Sequence, residues 1–273
     1  MKRLIKVIVI CMLMVGVNGC LTSGPNKNSS IKKCFNSWGS TSKAISKGSF
    51  TNRFFVGGLT MSKSKIMGKK AIKAPSNFEA PEIIDNSEYI SYIQNQGQLP
   101  ECAARSEASI LDATYWRANN FKCKTDAHKL YMQSKIIEGT VGKDGVSLES
   151  VLEAVKSESF IESGDKPSVK SEIVESIDDL TYAIHKYGFL LAGLMITDAW
   201  YTPTYTGKIR DDGNEIGQHA VVVVGYSKPC GLVKILNSWG DSWGDYGYCY
   251  LTFEEFDREF IYGITQSISW EPK

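Results

Sequence analysis

Cys102, His219 and Asn237 are the residues of this chain whose types and spacing could carry out covalent chemistry. A thiol becomes a strong nucleophile only as thiolate. Cys102 stands six residues after Gln96 and directly after Pro100-Glu101, at what reads as the first turn of a helix. A helix N-terminus stabilises an anion through its unsatisfied N–H groups and the macrodipole. An imidazole such as His219 can take the thiol proton and hold it. The ring then needs an orienting acceptor, which the carboxamide oxygen of Asn237 can provide. A tetrahedral oxyanion needs preset donors, and the Cys102 N–H and the Gln96 side-chain amide can supply two. An indole beside an Asn–His hydrogen bond, here Trp239, would exclude water and strengthen it. Taken singly, each residue has a plainer reading: Cys as a small core residue, Asn237 as a turn former, Trp239 and Trp243 as core aromatics. Their joint spacing turns them into a site. His128 and His185 sit in helical stretches without such company and read as surface or packing residues.

The elements around these residues must bring them together. Pro81 to Asp85 reads as extended chain, and Gln94 to Pro100 as a loop punctuated by Gly and Pro. A helix is predicted over 101–118, with Ala103, Ala104, Ala108, Ile110, Leu111 and Ala113 on its partly apolar face. Further helices are predicted over about 125–138, over 148–157 behind the cap Ser147, and over 178–187, where Gly188 stops the last. The pattern then changes to strands: 189–196, 219–226 with four valines, 232–237 and 248–253. Helices first and strands later predict an α+β fold in two lobes with a cleft between them.

The stretches QNQGQLPECAARSEA and GQHAVVVVGY…ILNSWGDSWGDYGYCYLTF resemble papain-like cysteine peptidases over roughly residues 81–270. The His and Asn fall 117 and 135 residues after Cys102. The family spacing is roughly 130–150, so the His comes early and trimmed loops are implied. The resemblance implies a helical N-terminal lobe and an antiparallel barrel-like C-terminal lobe with the site between. It implies Cys102 as nucleophile, His219 as general base and then acid, Asn237 as ring orienter and Gln96 in the oxyanion hole. Trp239 would shield the Asn–His pair, Trp243 would line the primed side of the cleft, Gly145 would offer backbone hydrogen bonds to substrate, and Gln218 would touch the residue adjoining the scissile bond. The family usually carries Cys-Gly-Ser-Cys-Trp at the nucleophile, where this chain reads Leu99-Pro100-Glu101-Cys102-Ala103. The first Cys of that motif and its disulfide are missing, and Glu101 is expected to oppose thiolate formation.

The 273 residues carry 31 Lys+Arg, 30 Asp+Glu and 42% apolar residues, an ordinary globular composition that excludes a disordered chain or a polytopic membrane protein. The balance hides an asymmetry. Residues 1–20 and 21–80 are strongly basic, with Glu79 the one acid among them, and the rest is acidic. An acidic body argues against nucleic acid as a ligand. Residues 1–20 have the layout of a secretory signal: Lys2, Arg3 and Lys6, an apolar run from Val7 to Val17, then Gly19-Cys20. Their end resembles a bacterial lipobox, which implies export and a lipid on Cys20 that anchors the chain to a membrane. Residues 21–80 read as a basic, low-complexity linker or pro-segment, for which an acidic body is an electrostatic resting place, and residues 81–273 as the peptidase domain.

No metal-ligand spacing and no phosphate-binding Gly loop occurs, so neither metal nor cofactor is expected. A disulfide between Cys230 and Cys249 is disfavoured. If Asn237 faces Gly247, Cys249 sits opposite Ile235, and Cys230 lies about 16 Å away along the strand. The expected protein is an exported, monomeric thiol peptidase acting on proteins or peptides. A catalytically weak peptide-binding surface protein and a cell-wall amidase stay open beside it.

Overall fold

The computed structural model describes residues 56, 58–61 and 69–271. The leader, with Cys20, lies outside them. The expected helices form: α1 spans Cys102–Asn119, α2 Ala127–Glu138, α3 Leu148–Ser157 and α4 Leu180–Tyr187. Local chemistry sets their ends. The Asp126 side chain accepts the Lys129 N–H at the start of α2, and Ser147 accepts the Ser150 N–H at the start of α3. Gly139 (φ 70°) and Gly188 (φ 89°) stop α2 and α4. A further short helix, α5 (Phe253–Glu259), is held by a capping box between Thr252 and Glu255.

Among the described residues, seven strands form one antiparallel sheet: β1 (Ile83–Asp85), β2 (Lys166–Val174), β3 (Leu190–Thr197), β4 (Glu215–Ser227), β5 (Leu232–Leu236), β6 (Tyr248–Thr252) and β7 (Phe260–Glu271). Their order is β2-β7-β3-β4-β5-β6, with β1 paired to β4. The α+β arrangement is therefore as expected, but β2 and β7 were not anticipated. Much of β2 is exposed and polar, and its pairing with β7, from Lys166↔Glu271 to Val174↔Gly263, joins distant parts of the chain. Such pairing leaves little local signal.

Strand β4 is the spine. The run Ala220–Val224 is fully buried, as a central strand covered on both faces must be. Its two-residue period sends Ala220, Val222 and Val224 to an apolar cluster with α1 and α3. Val221 and Val223 go to a second cluster with Trp200, Trp239 and Trp243. Helix α1 crosses β4, and the Ser106 hydroxyl donates to the Ala220 carbonyl at 3.0 Å. Ala103, Ala104, Ala108 and Ala113 are fully buried; small side chains at such a contact let helix and strand approach closely. This packing carries the first residue of α1, Cys102, to the start of the buried part of β4.

The described part of the basic segment is docked on the domain. The Val146 N–H donates to the Gly58 carbonyl (3.1 Å) and the Thr60 N–H to the Val146 carbonyl (3.3 Å), a parallel bridge centred on Leu59. Farther along, Ile72 is buried and its N–H donates to the Ile173 carbonyl at 2.8 Å. Lys70 pairs with Glu172 at 2.5 Å and Lys73 with Asp179 at 2.8 Å. At Lys70 and Lys73 the basic segment meets the acidic body.

Candidate active site

The Cys102 sulfur lies where α1 begins, near enough to the backbone amides of Ala220, Ala103 and Cys102 itself for them to pull its pKa down. The residue is fully buried. Burial pushes the thiol up to about 12, against the pull of those three amides.

His219 precedes Ala220 on β4, and Asn237 follows the last residue of β5. The two side chains meet: His219 Nε2 lies 2.8 Å from Asn237 Oδ1. Since an amide oxygen only accepts, Nε2 carries the proton, and Nδ1 is the ring's basic nitrogen when the imidazole is neutral. That Nδ1 is buried and has no hydrogen-bond partner among the described residues. Burial lowers the His219 pKa to about 4, against the favourable bond to Asn237. Trp239 covers the pair, its ring 5.1 Å from that of His219. Tyr201 stacks on Trp239 at 5.6 Å, and Trp200 meets His219 edge-on at 6.3 Å. Resting thiol and resting ring are thus both neutral, for the same reason: each has been taken out of water.

Gln96 is buried beside them. Its Oε1 accepts the Ser238 hydroxyl (2.6 Å), its own N–H donates to the Ser238 carbonyl (2.8 Å), and its Nε2 donates to the Leu99 carbonyl (3.0 Å). An amide nitrogen has two hydrogens, and the Leu99 carbonyl is one of its acceptors. Ser238, which had no assigned part, is the residue that orients this amide.

Glu101 does not act on the thiol as expected. Its carboxylate is fully buried and spoken for: Oε2 accepts from Arg105 Nε (2.9 Å) and Nη2 (2.7 Å), while Oε1 meets His128 Nδ1. It is absent from the groups that shift Cys102. The Glu101–Arg105 pair was legible as an i,i+4 spacing. The part played by His128, read as a surface or packing residue, required the fold.

The remaining candidates divide. Gln218 is half-buried, and its Oε1 accepts the Met61 N–H at 2.9 Å. Gly145 has φ 73°, and its carbonyl accepts Lys135 Nζ at 2.5 Å. The backbone groups paired to an extended segment belong to its neighbour Val146. Trp243 is fully buried, stacked on Trp200 (6.1 Å) and edge-on to Trp239 (5.3 Å), and presents no surface to a substrate. Among the cysteines, Cys102, Cys123 and Cys249 are free, and Cys230 is disulfide-bonded to none of these three. Cys249 pairs with Ile235 across the β5–β6 ladder, the register argued above.

A model of the papain family cysteine proteases matches residues 153–268, a stretch that holds His219 and Asn237 and leaves out Cys102 and Gln96. No curated relative matches the chain by sequence. Among solved structures the chain is similar to xylellain, a cysteine protease from Xylella fastidiosa. Identity is 16% over 79% of this chain and 96% of that one, with a TM-score of 0.65. It is similar to proCathepsin B S9 from Trypanosoma congolense (17% identity, 88% of this chain and 98% of that one, TM-score 0.65). A third is digestive procathepsin L2 proteinase from the larval midgut of Tenebrio molitor (17% identity, 78% of each chain, TM-score 0.60). At these identities the likeness is one of fold, and the fold is papain-like.

Proposed function

We propose that the chain is a thiol-dependent peptidase made as a precursor, with Cys102 as nucleophile. One observation carries the reading: Cys102 is the first residue of α1, packed where β4 passes from His219 to Ala220, and Asn237 orients that His219. Once the site opens, His219 Nδ1 takes the thiol proton, and the thiolate attacks a peptide carbonyl. The oxyanion is met by the Cys102 N–H and the Gln96 side-chain amide. The C–N bond breaks as His219 returns its proton to the leaving amine, which leaves a thioester. Water, deprotonated by His219, then attacks the thioester, and the C–S bond breaks to release the acid and restore the thiol.

The precursor part of the reading rests on residues 58–61. They run between Pro100, Val146, Gly193 and Gln218, where a substrate would lie. Leu59 is buried in the same apolar cluster as Cys102. We read the leader as an export signal that places the protein outside the cytoplasm with a lipid on Cys20. Mass spectrometry of membrane-associated protein, with Cys20→Ser as control, tests that assignment.

The deciding test is digestion of a peptide library by wild type and by Cys102→Ala, each with and without residues 1–68. Fragments made by wild type and absent with Cys102→Ala support the peptidase, and greater activity of the shortened wild type supports the precursor. A wild type that yields no fragments in either form, with Cys102 inert to iodoacetamide, overturns it. That result would leave the peptide-binding module, which the occupied crevice and the protonated thiol favour. Release of fragments from purified peptidoglycan would point instead to an amidase.

A further inference from the structure

The buried carboxylate next to the nucleophile has a partner set that the reaction above does not use. Glu101 is the residue before α1, and its side chain caps none of the helix amides. Its two oxygens go instead to Arg105, one turn into the helix, and to His128 on α2. The same guanidinium reaches in a second direction, with Nη1 donating to Gln94 Oε1 at 3.3 Å. Gln94 is buried, and its carbonyl accepts the Gly240 N–H at 2.9 Å. Asn95 is bridged to Trp239, and Gln96 is tied to Ser238 twice. Starting from Arg105, one unbroken run of polar contacts therefore reaches the residue before Cys102, the loop that carries Gln96, and the turn that follows Asn237.

We propose that Glu101 and Arg105 form a positioning pair, which fixes the start of α1, and with it Cys102, against the loop of Gln96 and the turn after Asn237. The proposal rests on the peptidase reading. Its physical basis is the shape of guanidinium, a planar fork that can hold a carboxylate on one side and an amide oxygen on another, which the single ammonium of lysine cannot reproduce. The carboxylate is wholly enclosed, and an enclosed charge keeps its place only with such partners. The pair touches neither the sulfur nor the ring. It acts through the distance between the thiol and the oxyanion donor, and an error of about 1 Å at a reacting group costs on the order of 10²-fold in rate.

The test uses the full chain with Arg105→Lys, Glu101→Gln and the double variant. Two readouts are taken: steady-state peptide hydrolysis, and the rate at which iodoacetamide alkylates Cys102. Arg105→Lys keeps the charge beside Glu101 and is the variant expected to fold as wild type does. Expected is a fall of about tenfold in kcat for each single variant with KM within about twofold, and a double variant no slower than the slower single, because both break one link. Alkylation at Cys102 shifts in the same variants. Active wild type with both singles keeping kcat and alkylation rate within twofold overturns the pair. Wild type that is inactive both as the full chain and without residues 1–68, yet whose alkylation rate responds to Arg105→Lys, keeps the pair and overturns the peptidase reading; the same inactivity with no response overturns both.

Discussion

Trp239 lies with its ring 5.1 Å from that of His219 and tilted by 41°, over the 2.8 Å bond between His219 Nε2 and Asn237 Oδ1. The indole keeps water from competing for that bond, and the bond decides which ring nitrogen carries the proton. Asn237→Ala is therefore expected to lower kcat by about 10²-fold while KM changes little, since a mis-turned base mainly costs rate. Steady-state kinetics on a peptide substrate read this directly. An unaltered kcat removes Asn237 from the mechanism.

Gly58 passes so close to Pro100 that a Cβ there would stand 2.8 Å from the Pro100 Cα and carbonyl carbon. Backbone atoms cannot swing aside as a flexible side chain can. Gly58→Ala should therefore push residues 58–61 out of the crevice. Water then reaches Cys102 and His219. The thiol falls from about 12 and the ring rises from about 4, because burial is the main cause of both shifts. At pH 7 the expected result is a severalfold faster alkylation of Cys102 by iodoacetamide. An equal rate in wild type and variant would show that the segment does not guard the thiol.

The basic segment is held by two carboxylates with lowered pKa. Glu172 is brought down to about 2, first by the Lys70 ammonium and then by the Tyr187 hydroxyl. Burial pushes Asp179 up, but Lys73 and the Ala74 N–H outweigh it and leave the group below its usual range. Their grip is complete above the ordinary carboxylate range near about 4 and is lost as pH falls through the lowered values. Residues 70–74 should loosen progressively between about pH 5 and pH 2. Hydrogen exchange at the Ile72 N–H, corrected for the intrinsic rate, follows this. Constant protection down to pH 2 would assign the docking to Ile72 burial alone, and Glu172→Gln should weaken protection at neutral pH.

Glu107, fully buried on α1, is raised to about 8 by burial, against the bond it accepts from Gln266 Nε2 at 2.7 Å. A raised acid favours the fold below its unfolded pKa and loses that contribution as pH climbs to the folded value. Wild type should lose stability relative to Glu107→Gln between about pH 4.5 and pH 8, at up to about 1.4 kcal/mol per pH unit. Thermal unfolding of both proteins across that range checks it. Parallel curves would mean that Glu107 stays ionised.

Short-range order along the chain was enough to recognise helix α1, its N-terminal Cys102, the valine strand after His219 and the turn at Asn237. Caps, helical periods and Gly-rich turns act within a few residues, and the site is assembled from the ends of such elements. The α+β layout followed from the same signals. The pairing of β2 with β7 did not, since Lys166 and Glu271 meet across the length of the domain and β2 carries few apolar residues. Nor did the direction of Glu101. Its neighbour in sequence is Cys102, yet successive side chains on a helix diverge, and where a charge points depends on what the fold brings near. Here that was Arg105 from the next turn and His128 from another helix. Trp243 shows the same limit, since a tryptophan in the Gly-rich stretch after Asn237 can face substrate or core, and packing against Trp200 settled it. Spacing states which groups are present, while burial and the orientation of each side chain arise from contacts between segments far apart in the chain.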